Sequence, residues 1–412
     1  MPIRVLHINY SDIIGARFNG YCMMEENTNP NFEFSMAVWK KKSDNKNVFL
    51  LPPQNKYLKY LIEKTIHLTC KFGFDHFFSF CSIALLSRQK YFQEADIINL
   101  HIIHGDTNFS IKDLPKLCRL KKIVWTIHDQ WAISGGCIHP FDCKGTNNGC
   151  PSFCPYPRYN SLFKHRMPYY LFRLKDYYYK QSKFNIVVST DWMKEKIKNS
   201  LLLGSHDISV IPFGVNLQIF QNRGKCAARI KIGIPKNNFV VILRNTGLST
   251  DTMKGLKYTK LALEKLQSSK AITIIVLEQS DGFIDLSSKY QVITPGWLDQ
   301  NAIIDYYSAS DVLLMPSIQE SFGLMAIEAM ACEVPVIVAE GSALPEVVGN
   351  DIGGIVVKPR NYNAIINALS LLIENQDYIE KLSKNARRRV MQLFDSQKYI
   401  KKYQSLYSTI MS

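Results

Sequence analysis

The sequence predicts an α/β protein made of two doubly wound, Rossmann-like parallel-sheet domains that face a cleft. Short runs rich in valine and isoleucine recur along the chain, and longer amphipathic stretches separate them. A parallel sheet that is buried on both faces requires such near-continuous apolar strands alternating with helices. The runs form two series with a polar stretch between them, which predicts two sheets rather than one.

Each series supplies six predicted strands. The first series lies at residues 3–9, 32–39, 96–103, 123–128, 185–189 and 208–212. The second lies at residues 239–243, 271–277, 291–294, 312–315, 334–339 and 354–357. A joint near residue 215 gives a first domain over residues 1–214 and a second over 215–394. Apolar residues at spacings of three and four predict helices after residue 361, and the last, at about 395–412, is expected to pack back on the first domain.

Composition and missing motifs exclude several classes of protein. The 412 residues are 46% hydrophobic, but no stretch without Asp, Glu, Lys and Arg approaches the length of a membrane-spanning helix, ~18 residues. The first residues lack an apolar segment followed by a small-residue cleavage site, so we expect a cytoplasmic protein. No G-x-G-x-x-G follows the first strand and no G-x-x-x-x-G-K-S/T occurs, which excludes dinucleotide oxidoreductases and P-loop NTPases.

The positive charge is concentrated in the first half of the chain. The formal net charge is +15, and residues 1–200 hold 28 basic and 16 acidic side chains, which gives +12. Such a field attracts anions, and nucleic acid, an anionic lipid surface and a phosphorylated substrate are all compatible with it. Composition does not choose among them.

The strongest local motif is PSIQESFGLMAIEAMA at residues 316–331, directly after a predicted strand. Ligands of open parallel sheets bind beyond the carboxyl ends of the strands, and the start of the following helix offers N–H groups and a positive dipole that suit phosphate. Glu320 lies before that helix and Glu328 one to two turns into it, so the two carboxylates can contact different parts of one ligand. The amides at the predicted phosphate position are those of Phe322, Gly323 and Leu324.

The segment ESFGLMAIEAMACEVPVIVA resembles the signature of retaining glycosyltransferases of the GT-B fold, in particular glycosyltransferase family 4. It departs from that signature at Glu333, where the family usually has glycine. The resemblance continues in YYSASDVLLMP and ISVIPFGVNLQIF upstream and in LPEVV downstream. It implies a GT-B fold and transfer of a sugar from a nucleotide-diphosphate donor with retention of configuration. No metal is implied, and the chain lacks a D-x-D pair that would hold one.

The resemblance also implies contacts to the donor. Glu320 would contact the hydroxyls of the sugar as a catalytic residue, and Glu328 would accept hydrogen bonds from the ribose hydroxyls. A carboxylate suits both roles because it accepts strong hydrogen bonds from adjacent hydroxyls. In RNTGLSTDTMKG, Lys254 matches the family's lysine that binds the donor phosphates, and Arg244 is the nearest substitute for an arginine that the family often has.

Two weaker signals lie in the first domain. WTIHDQW, which precedes a Gly-Gly-Cys stretch, resembles a subset of family 4 associated with bacterial capsule, exopolysaccharide and lipopolysaccharide assembly. This resemblance implies that His128 contacts the donor sugar near the transferred carbon, with Asp129 beside it. The family typically has two or three glycines after the first strand, and here Gly15 is the position assigned to donor binding.

Four cysteines fall close together in the first domain. Their spacings, C-x5-C-x6-C-x3-C, do not match the common C-x2-C zinc pairs. Three interpretations stay open: reduced structural cysteines, a structural zinc site and a disulfide pair. The residues concerned are Cys137, Cys143, Cys150 and Cys154.

Residues 157–184 combine seven basic side chains and nine aromatic ones with a single acid. This composition is compatible with an amphipathic face at an anionic membrane, with stacking on single-stranded nucleic acid, or with a solvated helix whose aromatic side chains pack inward. The residues assigned to the acceptor or membrane side are Lys164, Arg166, Arg173 and Lys175.

Together these patterns predict a retaining, metal-independent, hexosyl-type glycosyltransferase of bacterial surface polysaccharide biosynthesis. Its donor would be a nucleotide-diphosphate sugar and its acceptor a glycan or a lipid-linked saccharide, at the inner face of the cell membrane. No cofactor for catalysis and no nucleic-acid partner are expected. The alternatives are a nucleotide-sugar epimerase or phosphorylase on the same fold, and a non-catalytic basic binding protein.

Overall fold

The computed structural model describes residues 1–13, 15–53, 55–72, 83–104, 109–155, 165–247 and 253–412. The chain divides into two compact units. Unit 1 consists of Met1–Ile211 together with Ile400–Ser412, and unit 2 is Pro212–Tyr399.

Unit 1 is built on a seven-stranded parallel sheet with the order β3-β2-β1-β4-β5-β6-β7. Its strands are β1 Ile3–Ser11, β2 Phe32–Lys40, β3 Val48–Leu50, β4 Ile97–Leu100, β5 Lys122–Thr126, β6 Asn185–Val188 and β7 Ile208–Val210. Five consecutive residues of β1 are buried, as they must be when helices cover both faces of a sheet. The sequence pattern does not predict β3, a three-residue strand at one edge of the sheet, although it predicts β7, a strand of the same length at the other edge.

The helices of unit 1 lie on this sheet and in the loops that follow its strands. They are α1 Tyr21–Glu26, α2 Lys56–Phe72, α3 Ile83–Leu86, α4 Lys90–Gln93, α5 Leu114–Leu120, α6 Gly145–Asn148, α7 Met167–Tyr179 and α8 Asp191–Lys198. The core that they cover includes Leu6, Ile98 and Trp125, each of which is almost fully buried.

Unit 2 is a six-stranded parallel sheet with the order β10-β9-β8-β11-β12-β13. Its strands are β8 Phe239–Asn245, β9 Ile272–Glu278, β10 Gln291–Gly296, β11 Val312–Met315, β12 Val336–Ala339 and β13 Gly354–Val357. Its helices are α9 Lys225–Ile232, α10 Leu256–Lys265, α11 Gln300–Ala309, α12 Leu324–Ala331, α13 Leu344–Val348, α14 Tyr362–Glu374 and α15 Gln376–Leu393. The two parallel, helix-covered sheets confirm the predicted fold class.

The last helix is α16 Ser396–Met411, and its residues from Ile400 onward complete unit 1. Tyr403 and Tyr407 of this helix are fully buried. The Tyr403 hydroxyl lies 2.9 Å from Oγ1 of Thr126, and the Asn99 side-chain amide donates to the Tyr407 hydroxyl at 2.7 Å. Residues at the far end of the chain therefore supply part of the polar core beneath β4 and β5.

Candidate functional site

In unit 2, the loop that joins β11 to α12 is held by its own packing. Phe322 is 3% exposed, and its ring packs edge-on against Phe213 and Phe394 with centroid distances of 4.9 and 5.6 Å. Gly323 has φ +99°, and a Cβ there would lie 2.4 Å from Leu344, so a larger residue would be strained and would clash. The N–H groups at the start of α12, including that of Leu324, are those a helix leaves without intrahelical partners.

Two residues that the sequence assigns to the donor site meet in unit 2. Lys254 Nζ lies 2.6 Å from Oε2 of Glu320, and the two side chains are 27% and 20% exposed. The ion pair therefore places a cation and a carboxylate side by side where a ligand can still reach both.

The backbone fixes this pair. The Ile318 N–H donates to the Met253 carbonyl at 2.6 Å, which ties the loop after β11 to the loop after β8. A Cβ on Gly255 would lie 2.4 Å from the Pro316 carbonyl oxygen, so the glycine permits the close approach of the two loops. Residues 248–252 of the RNTGLSTDTMKG block lie outside the described residues.

Glu328 faces the interior of unit 2. The residue is 1% exposed, and its Oε2 accepts a hydrogen bond from the hydroxyl of Tyr307 on α11 at 3.3 Å. A carboxylate with so little exposure is strongly desolvated, which strengthens any hydrogen bond it makes to a bound hydroxyl. Contact with ribose would require a ligand to enter this part of the fold.

Arg244, the substitute for the family's second cation, lies near the carboxyl end of β8, an inner strand of the sheet. Its guanidinium pairs with Glu278 at 2.7 Å, so an ion pair joins the carboxyl-terminal ends of β8 and β9. The Arg244 side chain is 45% exposed and remains accessible to an anion.

The backbone conformation at Glu333 explains why glycine is usual at this position of the family signature. This residue follows α12 and has φ +64°, a left-handed conformation that a residue with a Cβ adopts only at a cost. The side-chain amide of Asn222 donates to its carboxylate at 3.2 Å. The chain thus keeps the backbone geometry of the motif without the residue that best fits it.

In unit 1, His128 follows β5 and is held by other rings. Its Nε2 lies 3.0 Å from Nδ1 of His101, which follows β4. The Phe18 ring, from the loop after β1, packs against the His128 ring at 4.9 Å. Burial lowers the pKa of His128 to about 4, and the neighbouring Asp129 carboxylate opposes that shift without cancelling it. The imidazole is therefore neutral at physiological pH.

Asp129 is also engaged. Its Oδ2 lies 2.8 Å from Nε2 of His104, and its Oδ1 accepts a hydrogen bond from the Trp131 N–H at 2.8 Å. Burial on its own would raise the pKa of this carboxyl, but His104 and the Trp131 amide outweigh burial and hold the pKa below its usual value. Asp129 is thus a fixed negative charge beside His128.

Gly15 lies in the loop that supports His128. It has φ +76°, and a Cβ there would come within 2.5 Å of the Phe18 ring. Because Phe18 contacts His128, this glycine shapes the surroundings of the histidine. A direct contact of Gly15 with a donor remains a prediction.

Sequence reasoning missed His7 and His101, which lie behind His128. His7 is fully buried in β1, and its Nδ1 lies 2.9 Å from Nε2 of His101. The available signal was a histidine in each of two buried, adjacent strands or strand ends, but an isolated histidine in an apolar run usually indicates only a satisfied core residue.

The zinc interpretation of the cysteine cluster is not supported. Within the described part of the chain, no three or more His, Cys, Asp and Glu side chains form a group that could hold a metal ion. All four cysteines are free thiols, so the structure gives no disulfide among them either. The four free thiols are those of Cys137, Cys143, Cys150 and Cys154.

The membrane-side assignment within residues 157–184 needs one correction. Lys175 is fully buried in α7, where its Nζ donates to the carbonyls of Trp131 and Ser134, the latter at 2.9 Å. Its side-chain nitrogen supports the loop after β5 and cannot contact a membrane surface. Arg166 and Arg173 are exposed, whereas Lys164 lies outside the described residues.

Most of unit 2 matches a known protein family. Residues 230–389 match the family described as "Glycosyl transferases group 1". This segment contains Lys254, Glu320 and Glu328. The match confirms the resemblance to GT-B glycosyltransferases of the family 4 type.

Characterised relatives share parts of the sequence. The chain is 25% identical over 239 residues to a capsular polysaccharide biosynthesis glycosyltransferase, CapM of Staphylococcus aureus, covering 55% of this chain and 62% of that protein. It is 26% identical over 227 residues to the UDP-Gal:alpha-D-GlcNAc-diphosphoundecaprenol alpha-1,3-galactosyltransferase of Escherichia coli, covering 52% and 57%. The matches span less than two thirds of the length of these relatives.

Solved structures share the whole fold. Anabaena HepE, solved in complex with UDP, superposes with a TM-score of 0.64 at 16% identity, covering 99% of this chain and all of the other. At this level of identity the likeness concerns the GT-B fold alone. Among the described residues, no helix is both long and apolar enough to cross a membrane.

Proposed function

We propose that this protein is a retaining glycosyltransferase that transfers a hexose-type sugar from a nucleoside-diphosphate sugar to a glycan or lipid-linked acceptor in bacterial surface polysaccharide assembly. The observation that carries the proposal is the Lys254–Glu320 pair, which lies at the loop before α12. It combines a cation for a diphosphate and a carboxylate for sugar hydroxyls, in the segment that matches group 1 glycosyltransferases.

Donor binding follows from the charges of this loop. The Lys254 ammonium and the N–H groups at the start of α12 bind the diphosphate, where positive charge and free donors coincide. Glu320 accepts hydrogen bonds from hydroxyls of the sugar, and Glu328 accepts from the ribose. Because Lys254 supplies the positive charge, the reaction proceeds without a metal ion.

The reaction is a substitution on one face of the sugar. The bond between the anomeric carbon and the diphosphate oxygen breaks, and its electron pair stays on the diphosphate. The acceptor hydroxyl forms the new bond to the same carbon from the same side, and its proton passes to the departing diphosphate. Lys254 stabilises the charge that grows on the leaving group, which is where positioned charge lowers a barrier most.

The printed names of similar proteins support the choice of substrates. The S. aureus relative is named for capsular polysaccharide biosynthesis, and the E. coli relative is named for a UDP-sugar donor and a diphosphoundecaprenol-linked acceptor. HepE is solved in complex with UDP. Uridine-diphosphate sugars and polyprenol-diphosphate-linked saccharides are therefore the first substrates to test.

A lipid-linked acceptor places the protein at a membrane, and α2 is the surface best suited to that contact. Tyr57 and Leu61 of this helix are 84% and 58% exposed, and Leu58 and Leu68 are also exposed. Lys56 and Lys64 on the same helix are exposed as well. Exposed aromatic and aliphatic side chains flanked by lysines match an anionic bilayer surface. We therefore propose peripheral binding at the cytoplasmic face through α2.

The experiment that tests the proposed function is a thermal-shift screen of uridine-, guanosine- and adenosine-diphosphate sugars, followed by a transfer assay with a lipid-linked saccharide. A ligand at 100 times its dissociation constant adds about 2.7 kcal/mol to the free energy of unfolding. The expected result is stabilisation by one donor class, and nucleotide release that requires the acceptor. Nucleotide release that never requires an acceptor would favour an epimerase or a hydrolase, and no stabilisation by any nucleotide sugar would overturn the proposal.

A further inference from the structure

A fully buried carboxylate lies at the carboxyl end of β1. Asp12 directly follows this strand and has no exposed surface. Its Oδ1 accepts hydrogen bonds from the Ile13 and Lys42 N–H groups at 3.0 and 2.9 Å, and its Oδ2 accepts one from the Ser43 N–H at 2.8 Å. Both carboxylate oxygens therefore face backbone donors.

These hydrogen bonds join two loops of unit 1. Lys42 and Ser43 follow β2, which pairs in parallel with β1, so the carboxyl ends of the two strands lie at the same edge of the sheet. Burial on its own would raise the pKa of the Asp12 carboxyl, but the hydrogen bonds that it accepts, those from Ser43 foremost, outweigh burial and hold the pKa below its usual value. Asp12 is thus a fixed negative charge that ties the loop after β1 to the loop after β2.

A second buried side chain closes the loop after β1. Asn19 has no exposed surface, and its side-chain amide donates to the carbonyls of Ser11 and Asp12, both at 3.0 Å. Its Oδ1 accepts a hydrogen bond from the Tyr21 N–H at 3.1 Å. The two ends of this loop are therefore fixed to each other as well as to the loop after β2.

The loop between these two ends carries Gly15, the position assigned to donor binding, and Phe18, whose ring packs against the His128 ring at 4.9 Å. The Phe18 and Asn19 N–H groups donate to the Gly15 carbonyl at 2.9 and 3.0 Å, so Gly15 is bonded to the anchored end of the loop. Ligands of open parallel sheets bind at this edge, beyond the carboxyl ends of the strands. A displacement of the anchor would therefore move the part of the loop that lies at the ligand-binding edge, although Asp12 itself is too buried to contact a ligand.

We propose that Asp12 is a positioning residue for sugar transfer: its carboxylate ties the loop after β1 to the loop after β2 and so fixes where Gly15 and Phe18 lie. The role needs a carboxylate, because both of its oxygens accept from N–H groups. An asparagine has nearly the same shape, but in either orientation of its carboxamide the NH₂ group would meet a backbone N–H, and a buried donor would lose its acceptor. The inference rests on the proposed function in taking the loop after β1 as part of the donor site.

The first test follows the loop without any substrate. In the full chain labelled with isotopic histidine, the carbon-bound ring protons of His128, assigned with His128→Gln, report on the Phe18 ring through its ring current. We expect Asp12→Asn to shift these signals towards their positions in Phe18→Leu. Asp96→Ala is the matched control, because Asp96 accepts a hydrogen bond from the Arg4 N–H at 2.8 Å near the amino end of the same strand, and it should leave the His128 signals in place. Identical His128 signals in Asp12→Asn and the parent would overturn the inference.

The second test separates turnover from stability. Because small misplacements at a reacting centre are costly, kcat for sugar transfer should fall roughly 10- to 100-fold in Asp12→Asn. The affinity for the nucleoside diphosphate, whose cation Lys254 lies in unit 2, should change far less, and Asp96→Ala should keep the kcat of the parent although it loosens unit 1. If Asp12→Asn does not fold, Asn19→Ser, which weakens the base of the same loop, should give the same loss of turnover. A kcat like that of the parent in the loop variants would refute the role, whereas a parent that transfers no sugar would refute the proposed function and leave the His128 signals as the test of the loop.

Discussion

Lys254 Nζ lies 2.6 Å from Oε2 of Glu320, although 66 positions of sequence separate the two residues. A cation that already has a carboxylate partner must give up part of that interaction when it binds a diphosphate. The two residues are thus coupled, and substitutions at either position should change diphosphate affinity in opposite directions.

For Lys254→Ala, we expect the affinity for the nucleoside diphosphate to fall, because the charged donor is lost. Hydrogen bonds to charged groups contribute about 1.5–3 kcal/mol, roughly a 10- to 150-fold change in dissociation constant. For Glu320→Gln, we expect equal or higher affinity, because Lys254 no longer has a competing carboxylate, together with a large loss of turnover. Isothermal calorimetry with the diphosphate measures the affinity of both variants, and the transfer assay measures their turnover. Equal affinity in Lys254→Ala and the parent would remove Lys254 from the site.

Glu328→Ala should weaken nucleotide binding by roughly 1–3 kcal/mol, because ribose hydroxyls lose their acceptor. Tyr307→Phe is the matched control, since it removes the hydroxyl that bonds Glu328 but keeps the carboxylate. Calorimetry should show a much smaller loss of affinity for this second variant. If both variants bind nucleotide like the parent, Glu328 is a core residue of α12 and not part of the site.

Unit 1 should lose stability as the pH falls below about 6.5, the pKa of an unfolded histidine. Burial lowers the pKa of His7 to about 3 and of His128 to about 4, and also lowers that of His101. Above the unfolded pKa both states are neutral. Below the unfolded pKa, these histidines bind protons in the unfolded chain but stay neutral in the folded protein. The free energy of unfolding should therefore fall progressively as the pH drops through this range.

Denaturant titrations at pH 7, 6 and 5, followed by tryptophan fluorescence, measure this slope. His7→Phe should make this slope shallower, because one of the buried histidines is removed. The depressed pKa of Asp129 acts in a lower window, because its contribution disappears only as the pH falls through its folded pKa, below the usual carboxyl value. A stability that is flat from pH 7 to pH 5 would contradict neutral, buried histidines.

Glu333→Gly should stabilise the protein. The left-handed backbone at this position destabilises the folded state by about 1–2 kcal/mol for a residue with a Cβ. Glycine removes this strain, but it also stabilises the unfolded chain by about 0.4–1 kcal/mol through greater conformational freedom. The expected gain in unfolding free energy is up to about 1 kcal/mol. Glu333→Ala, which keeps the strain and loses the Asn222 contact, should be no more stable than the parent in the same denaturant titration. A Gly variant no better than the Ala variant would show that the backbone there is relaxed.

Replacing Tyr57, Leu58 and Leu61 by serine should weaken binding to vesicles that contain anionic lipid, since burial of a single large apolar side chain is worth roughly 1.5–3 kcal/mol. Because these side chains are exposed, the stability of unit 1 should hardly change. Arg166→Gln with Arg173→Gln is the comparison variant, expected to cost up to ~1 kcal/mol per charge near the surface. Vesicle sedimentation that is unchanged by the α2 variant but lost in the arginine variant would move the membrane contact to α7.

The sequence predicts most of the fold because parallel strands buried on both faces leave a strong pattern. The strand β3 is missed, although β7, which is equally short and lies at the opposite edge of the sheet, is predicted. Glu320 and Lys254 are identified through a motif, but their contact depends on tertiary pairing of two loops. His7 and His101 are invisible for the same reason: only the order of strands in the sheet brings them into line with His128.

Lys175 shows the limit of charge patterns. The local sequence around a lysine among aromatic residues on an amphipathic helix is the same whether its side-chain nitrogen contacts lipid or backbone carbonyls. Here two carbonyls after β5 compensate its burial, and no feature of the local sequence indicates them.

The contribution of α16 to unit 1 constrains how the protein forms during synthesis. Asn99 and Thr126 emerge from the ribosome long before Tyr407 and Tyr403, the residues whose hydroxyls meet them in the folded core. All of unit 2 is translated in between. The core of unit 1 therefore stays incomplete until α16 has been synthesised. Unit 2, in contrast, can fold as soon as its own residues are available. The order of translation and the order of completion are opposite for the two units.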